Sequence, residues 1–197
     1  MNKKNLLYLV LVLMLFGFQS DKPVITKWVI TSGCSLQVNG STNINKFSCV
    51  ISSYNRPDTI ITSRIAGQPV KLSGNIQLDV QQFDCHNAIM TADLRKTLKS
   101  KEHPKLMIFF ASMNQYPEPG KWGLKGSVLI VLAGVSRNYD VDYRLVSTEP
   151  GMITLEGTRK VNFSDFNLTP PRKLGGMIKT NNELVVVFTL RMRVLPS

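Results

Sequence analysis

The chain has 197 residues, of which 43% are apolar and 19% charged, and its formal net charge is +11. This length fits one domain or two small ones, and the composition excludes disordered, collagen-like and coiled-coil chains. A mean hydropathy of −0.01 excludes a protein with several membrane spans. The positive charge favours anionic partners such as a membrane surface, although scattered basic residues are also typical of an ordinary solvated surface.

The first twenty residues predict a signal peptide. Lys3 and Lys4 precede an uncharged apolar run from Leu6 to Phe18. This run is shorter than the about 20 residues that a membrane span needs, and a basic start before such a run is typical of secretory signals. We therefore expect residues 1–20 to be removed and the protein to be periplasmic or secreted, with an uncleaved anchor as the alternative. An exported protein rarely meets nucleic acid, so no nucleic-acid partner is expected.

The rest of the chain predicts short strands rich in Val, Ile, Thr or aromatic residues, separated by turn formers. Apolar and polar side chains alternate along residues 75–80 and 140–145, as in strands with one buried face. This pattern predicts one all-β domain, residues 24–197, with an antiparallel sandwich or barrel. The predicted strands are Ser35–Val38, Phe47–Ser52, Asp58–Ile65, Val70–Val80, Leu106–Met113, Gly126–Leu132, Tyr139–Val146, Ile153–Phe163 and Leu184–Val194.

One segment, Thr91–Lys101, predicts a short helix instead. Thr91 can cap its start, and Pro104 prevents it from continuing. Leu94 and Leu98 are four residues apart, so they form a narrow apolar stripe on one helix face. We expect these two leucines to dock the helix on the β scaffold.

Three cysteines, Cys34, Cys49 and Cys85, allow one intramolecular disulfide at most. Export permits such a bond. We prefer Cys49–Cys85, whose loop would stabilise the fold by roughly 3–4 kcal/mol on the chain-entropy account. Cys34–Cys49, joined through a turn at Asn39-Gly40, is the alternative, and three free thiols stay open as well. No Cys-x-x-Cys pair is present to predict a dithiol or zinc site.

The sequence predicts no catalytic or metal site. His86 and His103 are the only histidines, and their spacing does not suit a metal. Neither a Gly-x-Ser-x-Gly elbow nor a glycine-rich phosphate loop is present. We therefore expect a protein without cofactor that is not an enzyme. An enzyme of unrecognised type that uses Asp165 or His86 is the competing hypothesis.

Several blocks occur in the order found in the YceI-like family. Residues 91–104, ending Leu-Lys-Ser-Lys-Glu-His-Pro, resemble its leucine-lysine-serine block, and residues 126–135 resemble its apolar strand before Gly-Val. Residues 162–166, Asn-Phe-Ser-Asp-Phe, are similar to its Ser-Asp-Phe segment. Residues 40–49 and 83–85 resemble a version seen in Bacteroidetes-like relatives. Together the blocks cover nearly the whole chain after the predicted signal.

The resemblance implies a lipocalin-like antiparallel β-barrel of about eight strands with a helix near one end. It also implies an apolar cavity that accepts a long isoprenoid or similar lipid, with no metal and no established catalytic residue. The better-known branch of the family often has Arg where this chain has Phe163, and it lacks Cys49 and Cys85.

A barrel of about eight strands is either filled by side chains or wide enough for one small ligand. We predict an exported binding protein that holds a long apolar lipid, because burying apolar surface contributes ~25 cal/mol per Å². The alternative is a filled barrel without ligand that acts through its basic surface in an interaction or stress response. The oligomeric state is not predicted. The candidate ligand-binding residues are Leu94, Leu98, Leu106, Ile108, Phe110, Val128, Ile130, Leu132, Phe163 and Phe166.

Overall fold

The computed structural model describes residues 22–196, so the predicted signal peptide lies outside the described residues. Most of this part of the chain is β-strand, with one α-helix. The strands are β1 (Val24–Ile30), β2 (Cys34–Ser41), β3 (Lys46–Tyr54), β4 (Thr59–Arg64), β5 (Val70–Asp79), β6 (Lys105–Met113), β7 (Leu124–Leu132), β8 (Val135–Glu149), β9 (Met152–Asn162), β10 (Arg172–Lys173), β11 (Ile178–Lys179) and β12 (Glu183–Pro196), and the helix is α1 (Ala88–Thr97).

Eight antiparallel strands close into a barrel, which confirms the predicted fold class. Their order is β1-β4-β5-β6-β7-β8-β9-β12, and β12 pairs with β1 to complete the ring. Alternate side chains of each strand point inward, so the two-residue period of the sequence becomes a barrel core. The alternation predicted over residues 75–80 is confirmed, since Ile76, Leu78 and Val80 are all buried.

The hairpin β2–β3 is an addition to this ring. β12 pairs along one edge with β9, whereas its other edge pairs first with β2, over Val185–Thr189, and then with β1, from Met192 onward. The hairpin β2–β3 therefore takes the place of the pair β1–β4 in the half of the barrel that carries α1. We call this the helix half and the opposite half the far half.

In the helix half, β3 and β5 lie next to each other but do not pair as strands. We call this boundary between β3 and β5 the seam. The backbones of Val50 on β3 and Asp84 exchange two hydrogen bonds, of 2.7 and 2.8 Å. The disulfide Cys49–Cys85 lies next to this pair, as predicted, and Cys34 is free and buried. The covalent bond therefore ties the hairpin β2–β3 to the segment that leads into α1.

Two local predictions are wrong. Asn39-Gly40 is not a turn but part of β2, because the ring of Phe47 lies across Gly40, where no side chain would fit. The helix begins at Ala88 rather than Thr91, and the Asn87 side chain caps it by accepting the Met90 N–H. Thr91 is not available as a cap because its hydroxyl accepts the backbone N–H of Cys85 instead.

Each predicted strand overlaps an observed one and extends beyond it by no more than one residue at either end. β1 was not among the predicted strands, although it places Trp28 and Ile30 in the core. Its buried positions alternate, but its apolar residues do not, since Val24 and Ile25 are adjacent and Trp28 is followed by Val29 and Ile30. The two-residue strands β10 and β11 are also too short to leave a pattern in the sequence.

Candidate functional site

The far half of the barrel is filled by side chains. Trp28, Ile60, Met113 and Leu124 pack there, each at most 2% exposed. The indole N–H of Trp28 donates to the hydroxyl of Tyr116 over 3.2 Å, which satisfies its polar atom. This half therefore has no room for a ligand.

The helix half contains an inner cavity of about 70 Å³ with no polar side chain in its wall. Seven of the predicted ligand-binding residues line it, namely Leu94, Leu98, Leu106, Ile108, Ile130, Leu132 and Phe166. Sequence reasoning missed six others, which are Leu36, Val38, Phe83, Val161, Leu184 and Val186. Most of these lie on β2, β9 and β12, where alternation could have indicated them.

The other three predicted residues lie outside this cavity. Phe110 and Val128 pack in the solid part of the core, 5% and 2% exposed. Phe163 is buried too, but it forms part of the wall of a second, outer cavity.

The outer cavity, which we call the vestibule, has a volume of about 280 Å³ and opens to solvent at the helix end. Its walls are α1, the turn between β2 and β3, and the loop that contains β10 and β11. Leu94 lines both the vestibule and the inner cavity, so this side chain lies between them. The remaining lining residues of the vestibule are Thr42, Ile44, Asn45, Phe47, Asn87, Ile89, Met90, Asp93, Phe163, Pro171, Lys173, Ile178 and Thr180.

Hydrogen bonds and one ion pair join the walls of the vestibule. The Asn43 side chain donates to the carbonyl of Met177 and accepts the N–H of Lys179, both over 2.9 Å. Lys173 Nζ lies 2.6 Å from a carboxylate oxygen of Asp93 and so connects this loop to α1. Both ionic side chains are partly exposed, and such pairs contribute no more than about 1 kcal/mol. The ion pair between the loop and α1 can therefore break at little cost, while the hydrogen bonds keep the loop on the turn between β2 and β3.

The Ser-Asp-Phe segment shapes the cavities. The Asp165 carboxylate accepts the Asn162 N–H over 2.9 Å and the Tyr139 hydroxyl over 2.8 Å. Burial alone would raise the pKa of Asp165, but these hydrogen bonds outweigh it and lower the pKa. They fold the short 3-10 turn that buries Phe163 and Phe166. In the described part of the chain, no hydrogen bond links Asp165 to either histidine.

Other features of the described residues bear on the site. No group of three His, Cys, Asp or Glu side chains comes together there as a metal site. Over the same residues, no helix has the length and apolarity needed to span a membrane. A larger groove of about 980 Å³ lies at the far end, open to solvent and lined both by apolar residues such as Val24 and Val70 and by charged ones such as Lys22, Arg64 and Glu118.

Searches by sequence found no match, either to a protein-family profile or to a curated protein. Solved structures do match. BcnA from Burkholderia cenocepacia has a TM-score of 0.61 and 12% identity, covering 80% of this chain and 95% of its own. A polyisoprenoid binding domain from Saccharophagus degradans has a TM-score of 0.60 and 11% identity, covering 86% of this chain and 98% of its own.

The fold and the site define a closed antiparallel β-barrel with an apolar cavity beneath a capping helix. This is the barrel architecture that the sequence blocks predicted, and it is shared with both proteins over most of their length. The likeness is one of fold, because the identities are low. The Bacteroidetes-type branch stays a prediction.

Proposed function

We propose that this chain is an exported binding protein that holds a long apolar lipid of isoprenoid type and catalyses no reaction. The inner cavity carries the proposal, since its wall is wholly apolar and Leu94 lines both this cavity and the vestibule. A matched structure with the same fold is described as a polyisoprenoid binding domain. Export to the periplasm or beyond is supported by the disulfide, because such bonds persist in oxidising compartments.

The volumes indicate how a ligand would fit. Ligand pockets usually measure about 300–1,000 Å³, so the inner cavity of 70 Å³ is too small by itself. The vestibule adds 280 Å³ once Leu94 moves aside. We therefore expect binding to shift α1 outward and to join the two cavities into one.

The chemistry of the walls favours an apolar chain held by burial. Transfer of a few hundred Å² of hydrocarbon surface out of water gives several kcal/mol at ~25 cal/mol per Å². This gain offsets part of the cost of association and needs no directional contact. A polar end of the ligand would remain in the vestibule, beside Asn45, Asn87 and Lys173.

Filling the inner cavity tests the proposal. Val186→Phe replaces a small side chain in the cavity wall by an aromatic ring. The amount of bound lipid should fall at least about tenfold, because the ring occupies the space. Native mass spectrometry of protein purified without detergent measures co-purified lipid, and titration with a long-chain prenol measures rebinding.

Val187→Phe is the matched control, because the neighbouring side chain lies on the outer face of the same strand. It should leave lipid content and prenol binding unchanged. A wild-type protein that carries no lipid and does not bind prenol would overturn the proposal and favour the filled-barrel alternative.

A further inference from the structure

Large apolar side chains surround the mouth of the vestibule. Ile44, Ile89, Leu174 and Met177 are 65, 68, 68 and 74% exposed, and they are four of the ten exposed large apolar side chains in the described part of the chain. Two of them, Ile44 and Ile89, also line the vestibule. We call these four side chains the apolar rim. Clusters of exposed apolar groups mark interaction surfaces, whereas single ones are ordinary.

The rim is held in place by the fold. Ile44 lies in a turn closed by the bond from the Thr42 N–H to the Asn45 carbonyl, 2.7 Å long. The Asn43 side chain joins this turn to the backbone of Met177 and Lys179. The apolar rim therefore belongs to an ordered surface.

The charge around the rim is positive. The three segments that carry it, residues 42–46, 84–96 and 170–180, contain six basic and two acidic residues. Lys46, Arg172 and Lys179 are exposed, and none of them makes an ion pair with another described residue. Apolar side chains among unpaired cations suit the headgroup layer of an anionic bilayer.

The far end carries cations too, since Lys22 and Lys121 are exposed there and make no ion pair with another described residue. Trp122 is 87% exposed there, and such a side chain could also enter a membrane interface. The acidic residues nearby are matched with basic ones, since Arg64 pairs with Glu118 and Arg191 with Glu149, both at 3.4 Å. Charge alone therefore does not distinguish the two ends, and the opening of the vestibule within the apolar rim selects the helix end.

We propose that the apolar rim docks on an anionic lipid bilayer with the vestibule facing the membrane. The docking does not require a lipid in the inner cavity. If the proposed function holds as well, an apolar chain passes from the bilayer through the vestibule to the inner cavity without crossing water.

Vesicle co-sedimentation tests the docking. Vesicles of phosphatidylcholine are compared with vesicles that also contain phosphatidylglycerol, and the wild-type protein should bind the anionic ones more tightly, with weaker binding at high salt. Leu174→Ser combined with Met177→Ser should weaken binding at least about tenfold, because apolar area is lost from the contact. Arg172→Gln combined with Lys179→Gln should weaken it roughly 30-fold on anionic vesicles only.

Trp122→Ser is the matched control at the far end, and it should bind as the wild type does. All proteins carry the same N-terminus, verified by intact mass, so differences report on the exchanged side chains. Circular dichroism establishes that each variant is folded, which is expected because all these positions are exposed. Val186→Phe should lose bound lipid but still bind vesicles. This variant therefore distinguishes a failure of the proposed lipid binding from a failure of the proposed docking.

Three results would overturn the docking. The first is binding that is insensitive to both double variants, and the second is binding that disappears in Trp122→Ser. The third is a wild-type dimer in sedimentation velocity that Leu174→Ser with Met177→Ser dissociates, because the apolar rim would then be covered by a second copy of the chain.

Discussion

At the scale of single residues, Asp165 shows how a short polar contact positions apolar side chains. Its carboxylate accepts hydrogen bonds from Asn162 and Tyr139, and the resulting turn directs Phe163 and Phe166 inward. The same contact raises the pKa of the Tyr139 hydroxyl, because burial and the nearby carboxylate both disfavour the phenolate. The sequence placed Asp165 in a recognisable block, but only the contacts assign it this structural role.

The lowered pKa of Asp165 predicts a dependence of stability on pH. The carboxyl group binds its proton more weakly in the folded chain than in the unfolded one, so it contributes stability above the ordinary Asp pKa of about 3.9. This contribution is lost as the pH falls through the folded pKa. Urea unfolding should show that the free energy of unfolding decreases between pH 6 and pH 2, and that this decrease is smaller in Asp165→Asn than in the wild type. In Tyr139→Phe the decrease should also be smaller than in the wild type, but by a lesser amount. An Asp165→Asn protein with the pH dependence of the wild type would contradict this prediction.

At the scale of elements, the disulfide replaces hydrogen bonds that the seam lacks. β3 and β5 form no ladder in the described structure, although the backbone N–H of Gln77 on β5 donates to the side-chain hydroxyl of Tyr54 on β3 over 3.2 Å. Cys49–Cys85 closes this gap next to the start of α1. The bond therefore stabilises the helix half, where packing leaves space.

Removing the disulfide should make the protein less stable. Cys49→Ser combined with Cys85→Ser should lower the free energy of unfolding by roughly 3–4 kcal/mol, because the unfolded chain regains loop entropy. Denaturant unfolding with and without dithiothreitol measures the effect. The double variant should not respond to the reductant, whereas Cys34→Ala should respond as the wild type does, since Cys34 is a free thiol. Equal stability of the reduced and oxidised wild type would contradict the prediction.

At the scale of the whole molecule, the barrel has one solid and one partly hollow half. The far half contains side chains at most 2% exposed, whereas Ile130, Leu132 and Val186 in the helix half border empty space. Solid packing in the far half stabilises the barrel, and this allows the other half to keep a cavity.

Two truncations on one strand should measure this difference. Leu124→Ala in the far half should lower the free energy of unfolding by about 2–5 kcal/mol, because it removes close contacts and leaves a void. Leu132→Ala should cost about half as much, since Leu132 already faces the inner cavity. Denaturant unfolding of both variants measures the two losses in the free energy of unfolding. Equal losses would mean that the two halves are packed alike.

From the sequence alone follow the all-β class, most of the strands and the docking face of the helix, whereas the eight-stranded barrel was implied by the family resemblance and Cys49–Cys85 was the preferred one of three alternatives. The class, the strands and the helix face follow from local patterns, namely alternation, turn formers and the leucine spacing. Tertiary structure decided that Asn87 rather than Thr91 caps the helix and that β12 divides one edge between β1 and β2. It also decided which half is hollow, leaving Phe110 and Val128 in the solid core. The reason is that inward positions look alike along a strand, and only the neighbours brought from distant parts of the chain determine whether the space beside them is filled.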